Sequence, residues 1–112
     1  MKLHLFPILL LLIFSTAFTQ ADETADATFA RAAELADTDL TKSRELYRVA
    51  ALKYQADALT EPSQRGPLLY NSGNAYFLAG DPGQAVVAYR RAEQAMPGSR
   101  LLKDNLAYVR MQ

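Results

Sequence analysis

Residues 66–99 carry two short helical patterns bounded by helix-breaking residues, and this spacing constrains the fold more than any other feature of the chain. Small and apolar side chains recur at helical spacing over residues 68–79 and again over residues 85–95. Gly80 lies between the two runs and is a typical helix stop, while Asp81, followed by proline, is a typical helix cap and start. The sequence therefore predicts a helical hairpin that spans residues 66–99.

The residue types within this hairpin predict how its helices begin and pack. Gly66 and Pro67 stand at its start, and proline is suited to the first helical position. Gly73 and Ala85 are small, so we expect the two antiparallel helices to approach closely there, with larger side chains filling the space on either side. The residues expected to pack the repeat are Leu69, Gly73, Tyr76, Ala85, Tyr89, Ala92 and Pro97.

These positions resemble the tetratricopeptide repeat (TPR) family, whose units are helix–turn–helix segments of the same length as this hairpin. Leu69 stands where the family pattern has Trp, and Ser72 stands where it usually has Leu; the remaining packing positions match. The resemblance implies an all-α fold in which hairpins stack into a short solenoid. It also implies a surface for protein–protein recognition rather than catalysis.

The flanking segments predict a short array of such units within a domain spanning residues 22–112. Residues 24–60 form a divergent repeat, because Ser43, Tyr47 and Ala50 reproduce the spacing of Ala85, Tyr89 and Ala92 at an offset longer than one repeat. We expect the extra length to extend the second helix of that divergent repeat and the loop around Glu61-Pro62-Ser63. Residues 100–112, with Ser99 as a cap, form the first helix of a further repeat. The expected total is about five helices, or roughly two and a half hairpins.

The N-terminal segment, residues 1–21, has the layout of a secretory signal peptide. Lys2 precedes an apolar run over residues 3–14, and small and polar residues follow, with cleavage expected after Ala21 or, alternatively, after Ala17. The run is short for a membrane span, which needs about 20 residues. We therefore expect an exported protein of the periplasm or envelope, with an inner-membrane anchor through residues 3–14 as the alternative.

Composition excludes several classes of function. The chain has 12 basic and 12 acidic residues; removing residues 1–21 takes away Lys2 alone and leaves 11 against 12, a net charge of −1. This balance argues against a nucleic-acid partner, which requires a basic face. The chain has no cysteine, and its one histidine, His4, lies in the predicted signal peptide. We predict no catalytic, metal-binding or cofactor-binding residues and no enzyme activity.

The first helices of stacked hairpins line a concave face, so their exposed residues are the candidates for partner binding. An asparagine offers a peptide backbone both a donor and an acceptor, and tyrosine gives a large contact area with a polar tip. Phe77 and Tyr108 alternatively pack against neighbouring helices. The Lys and Arg clamp that some TPR proteins use for a terminal carboxylate is absent, so an extended segment or a helix of a partner is expected. The predicted groove residues are Tyr70, Asn74, Phe77, Asp104, Asn105 and Tyr108.

The last predicted helix carries an apolar face with no following helix to cover it. The chain is then either a fragment of a longer array or docks through this face on another subunit, with self-association through the C-terminal helix as one outcome. The residues of this expected docking face are Leu102, Leu106 and Val109.

Three segments together resemble a narrower group, the exported TPR proteins of bacterial aerotolerance (Bat) operons. These segments are Tyr70-Asn71-Ser72-Gly73-Asn74-Ala75-Tyr76, Tyr89-Arg90-Arg91-Ala92 and Asn105-Leu106-Ala107-Tyr108. The resemblance implies a membrane-anchored von Willebrand factor A-type protein as the partner. It also implies, as an alternative role, a membrane-tethered subunit of an envelope complex.

Overall fold

The structure is a computed structural model, and it describes residues 23–112. This part of the chain is all-α, as predicted, with five helices, one 3-10 turn at Pro62–Gln64 and no strand. The predicted signal peptide and anchor, residues 1–21, lie outside the described residues. No helix within residues 23–112 combines the length and the apolar character that crossing a bilayer requires. The helices are α1 (Ala25–Glu34), α2 (Leu40–Thr60), α3 (Arg65–Leu78), α4 (Pro82–Ala95) and α5 (Arg100–Arg110).

Side-chain caps begin most of these helices at the residues that the sequence indicates. The carboxylate of Asp81 accepts a hydrogen bond from the backbone N–H of Gln84 at 3.2 Å, and Pro82 is the first residue of α4. The hydroxyl of Ser99 accepts from the N–H of Leu102 at 3.3 Å at the start of α5. Both predicted caps are therefore confirmed. The predicted lengthening of the second helix is confirmed as well, because α2 has 21 residues.

The start of α3 differs from the prediction. The helix begins at Arg65, directly after the 3-10 turn, so Gly66 lies inside the helix and Pro67 is not its first residue. Pro67 is still tolerated, because the first four N–H groups of a helix have no intrahelical acceptor. Gly66 has a packing role instead: a Cβ atom there would lie 2.5 Å from Cγ of Met96.

Consecutive helices pack against one another as antiparallel neighbours. At the junction of α1 and α2, the hydroxyl of Ser43 donates to the carbonyl of Ala32 at 2.7 Å. Between α2 and α3, the buried hydroxyl of Ser72 donates to the carbonyl of Ala51 at 3.0 Å. Each of these bonds joins a buried side-chain hydroxyl to a backbone carbonyl whose position in its helix is fixed. The bonds therefore set the register of the neighbouring helices.

The odd-numbered helices α1, α3 and α5 lie side by side along one face. The amide of Asn105 in α5 donates to the hydroxyl of Tyr70 in α3 at 2.9 Å. Phe77 of α3 contacts Tyr108 of α5 edge to face, with ring centroids 5.7 Å apart. Phe29 of α1 lines the same cavity as these two rings. These three helices therefore contribute to one shared surface.

Small residues make up much of the core, which allows the helix axes to approach closely. Of the residues expected to pack the repeat, six are buried and one, Pro97, is exposed in the connection between α4 and α5. Proline has no N–H and cannot continue a helix, so Pro97 follows the end of α4 without contributing to the core. The buried six are Leu69, Gly73, Tyr76, Ala85, Tyr89 and Ala92.

The prediction that α5 carries an exposed docking face is wrong. Leu102, Leu106 and Val109 are 0%, 4% and 3% exposed and belong to the main core cluster. Other helices of the chain cover the apolar stripe of α5, so these three side chains are not exposed for docking. Self-association through other residues of the C-terminal helix stays a prediction. The apolar residues that α5 does expose are Leu101, Tyr108 and Met111.

Candidate protein-binding groove

An open cavity of about 340 Å³ lies between α1, α3 and α5, with a residue of α4 at its base. Four of the six predicted groove residues line it. None of the lining side chains carries a charge, so the cavity combines apolar and aromatic surface with a few neutral polar groups. Its lining residues are Phe29, Asn74, Phe77, Leu78, Tyr89, Asn105, Tyr108 and Val109.

Aromatic side chains form the walls of this cavity, and contacts with neighbouring rings hold them in place. Phe77 and Tyr108 meet at an interplanar angle of 75°, and Tyr108 remains 52% exposed. On the opposite wall, Phe29 contacts Tyr47 edge to face with ring centroids 5.0 Å apart. Phe77 and Tyr108 therefore pack against a neighbouring helix and also line the cavity, so the two alternatives for them are compatible.

Asn74 and Asn105 connect the helices that border the cavity. The Oδ1 atom of Asn74 accepts hydrogen bonds from the hydroxyl of Tyr89 and, at 3.3 Å, from Nδ2 of Asn105. The same Nδ2 of Asn105 donates to Tyr70. Within residues 23–112 this leaves Nδ2 of Asn74 and Oδ1 of Asn105 without protein partners. The two residues together offer a donor and an acceptor to the backbone of a bound peptide.

Tyr89 lies at the base of the cavity and is only 2% exposed. Its burial, with a smaller contribution from nearby Tyr70, raises the pKa of Tyr89 to about 12, although the neighbouring amide of Asn105 opposes the shift. The hydroxyl is therefore protonated at neutral pH and can donate to Asn74. Tyr70 reinforces this position, because its ring lies 5.9 Å from the ring of Tyr89.

The two remaining predicted residues do not line the cavity. Tyr70 is half-buried and acts on the groove through its bond with Asn105. Asp104 is exposed elsewhere on α5.

Sequence reasoning missed four lining residues. Leu78 and Val109 each follow a predicted groove residue, Asn74 or Asn105, by four positions, so helical spacing could have identified them. Tyr89 was assigned to packing alone. Phe29 lies on α1, for which no groove residue was predicted.

No three histidine, cysteine, aspartate or glutamate side chains within residues 23–112 come together as a metal site would require. Comparisons with protein-family models, with curated proteins and with solved structures found no match to this chain.

Proposed function

We propose that this chain is an exported TPR-type adaptor that binds a segment of a partner protein in the groove between α1, α3 and α5, without enzyme activity. One observation carries the proposal: three alternate helices jointly expose aromatic rings around a cavity of about 340 Å³. Exposed aromatic side chains next to neutral hydrogen-bonding groups are typical of protein-binding sites. The residue spacing of the TPR family and the helical hairpins support the same assignment.

The chemistry of the groove specifies what the bound segment would offer. The uncharged lining favours an apolar or aromatic side chain in the cavity, because a charged side chain would lose hydration without gaining a counter-ion. Nδ2 of Asn74 can donate to a backbone carbonyl of the segment, and Oδ1 of Asn105 can accept from a backbone N–H. A neutral, extended segment with one bulky apolar residue meets all three requirements.

Two further parts of the proposal rest on the sequence. Export rests on the signal-peptide layout of residues 1–21. A membrane-anchored von Willebrand factor A-type partner rests on the resemblance to the exported TPR proteins of Bat operons.

The test selects peptides from a displayed library of random extended sequences against the full chain and then measures their affinity for two variants. Tyr108→Ala removes an exposed groove side chain, whereas Leu101→Ala removes a similarly exposed apolar side chain of the same helix outside the groove. We expect the selected peptides to contain an apolar or aromatic residue and to lose about tenfold in affinity with Tyr108→Ala only. Equal affinity for the wild type and both variants would rule out this groove. Circular dichroism checks that both variants keep their helix content.

A further inference from the structure

Helix α2 carries an exposed apolar stripe, and no residue of α2 lines the groove between α1, α3 and α5. Val49, Leu52, Ala56 and Leu59 follow one another at intervals of three, four and three residues, which places them on one side of the helix. All four are exposed, with Leu52 at 54% and Leu59 at 78%. Exposed apolar residues at this spacing form the contact stripe through which helices pair.

Three of the four stripe residues border a hollow of about 350 Å³ between α2, α3 and α4, which we call the α2–α4 groove. Leu52, Ala56 and Leu59 form one wall, and Leu69 of α3 lines the hollow as well.

The polar groups of the α2–α4 groove are all suited to an anionic partner. Arg65 and Arg91 line it, no acidic residue does, and neither guanidinium makes an ion pair or hydrogen bond with any residue in 23–112. The Oε1 atom of Gln55 accepts from the hydroxyl of Tyr76 at 3.2 Å, so the amide nitrogen of Gln55 remains as a further donor.

The acidic residues near the end of α2 face a different part of the surface. Asp57 and Glu61 line a separate hollow with Asp26 of α1. The end of α2 therefore separates a cationic side from an acidic side, and only the cationic side carries the apolar stripe.

We propose that the α2–α4 groove binds an acidic amphipathic helix of a partner protein. The partner's apolar residues pack along the stripe from Val49 to Leu59, a length of about 15 Å at 1.5 Å per residue, and the hollow receives one of them. Its flanking glutamates or aspartates pair with Arg65 and Arg91. The length of the stripe favours a helix over a small anion, which would engage the arginines alone. This surface is separate from the groove between α1, α3 and α5.

The test uses a designed amphipathic helix of about three heptads, with leucine at the a and d positions and glutamate at the flanking e and g positions. The matched control peptide carries lysine in place of every glutamate. We expect the full chain to bind the glutamate peptide at least about tenfold more tightly than the lysine peptide, with amide shift changes in nuclear magnetic resonance spectra at Leu52, Leu59 and Arg91. The doubly substituted variant Arg65→Glu/Arg91→Glu should invert this preference, while Tyr108→Ala should leave it unchanged.

Several outcomes would overturn the proposal. These are failure of the glutamate peptide to bind, equal binding of the two peptides, shift changes at Phe77 and Tyr108 instead of the stripe, and a dimer that buries Leu52 and Leu59. Binding of anionic lipid vesicles without binding of the glutamate peptide would assign the surface to a membrane instead. Arg65 and Arg91 lie on the surface, so we expect the charge-reversed variant to fold. Circular dichroism checks that it keeps its helix content.

Discussion

A Cβ atom placed on Gly73 would lie 2.5 Å from two ring carbons of Tyr89, so α3 and α4 meet at a point where only glycine fits. The ring cannot move aside easily, because Tyr89 is 2% exposed and its hydroxyl donates to Asn74. This contact also supports the base of the candidate binding groove, since both Asn74 and Tyr89 line it.

Gly73→Ala should therefore destabilise the protein although alanine is the better helix former. Overpacking of a filled core costs about 1–3 kcal/mol, and an overlap at 2.5 Å with a buried ring belongs to the upper part of that range. This cost exceeds the gain of roughly 1 kcal/mol that replacing a helical glycine with alanine brings. Urea unfolding followed by circular dichroism measures the change in the free energy of unfolding.

Gly83→Ala is the matched control for this variant. Gly83 also lies in a helix, but the nearest atom to its added Cβ would be a carboxylate oxygen of Asp81 at 3.9 Å. We expect Gly83→Ala to be neutral or to stabilise by up to about 1 kcal/mol. A Gly73→Ala variant as stable as Gly83→Ala would show that the two helices are not in close contact at Gly73.

The sequence predicted this close approach but named a different neighbour for Gly73. The spacing of small residues indicated that Gly73 and Ala85 face the same interface, and both are buried. The side chain nearest to Gly73 is Tyr89, one helical turn beyond Ala85. Helical spacing identifies the face on which a residue lies, but the pairing of two faces depends on the register of two helices, which only the tertiary structure defines.

The errors at Gly66 and on α5 have the same origin. Gly66 beside a proline is typical of a helix start, but its role depends on Met96, which lies beyond the end of the following helix, α4. The apolar stripe of α5 was recognised, yet periodicity cannot say whether a preceding helix or a second subunit covers it. The caps at Asp81 and Ser99 were predicted correctly because each involves residues only three positions apart.

The prediction for Gly80 depends on its backbone conformation and not on side-chain packing. It has a φ of +81°, a left-handed conformation that strains any residue with a Cβ, and it closes the end of α3. An added Cβ would meet Arg44 at an ordinary contact distance of 3.5 Å, so steric overlap contributes little. Gly80→Ala should lower the free energy of unfolding by about 1–2 kcal/mol. Gly80→Asn should cost less, because asparagine tolerates this conformation better than alanine; equal costs would contradict the backbone explanation.

The buried tyrosines should make the free energy of unfolding decrease as the pH rises in the alkaline range. Burial raises the pKa of Tyr89 to about 12, and burial together with the hydrogen bond to Asp26 raises the pKa of Tyr54 as well. Above a pH of about 10 the unfolded phenols lose their protons while the folded ones keep them, so the stabilisation is complete below pH 10 and declines as the pH rises. We expect Tyr89→Phe to weaken this decline by up to about 1.4 kcal/mol per pH unit between pH 10 and 12.

Urea midpoints measured at several pH values across that interval test this expectation. Tyr108→Phe is the control, because Tyr108 is exposed and the substitution removes an equivalent hydroxyl from the surface. An unchanged pH dependence in Tyr89→Phe would mean that the Tyr89 hydroxyl ionises as readily in the folded protein as in the unfolded chain.

The buried apolar side chains of α5 should contribute more to the free energy of unfolding than its hydrogen bonds do. Leu102 is fully buried, so Leu102→Ala should cost about 2–5 kcal/mol. Asn105→Ala removes the bonds to Tyr70 and Asn74 at a half-buried site, where water can replace the lost donor, and should cost about 0.5–1.5 kcal/mol. Within residues 23–112, α5 has neighbouring helices on one side only. Both substitutions should therefore appear first as faster amide hydrogen exchange in Arg100–Arg110. Exchange that accelerates equally in α2 and α5 would show instead that the helices unfold as one cooperative unit.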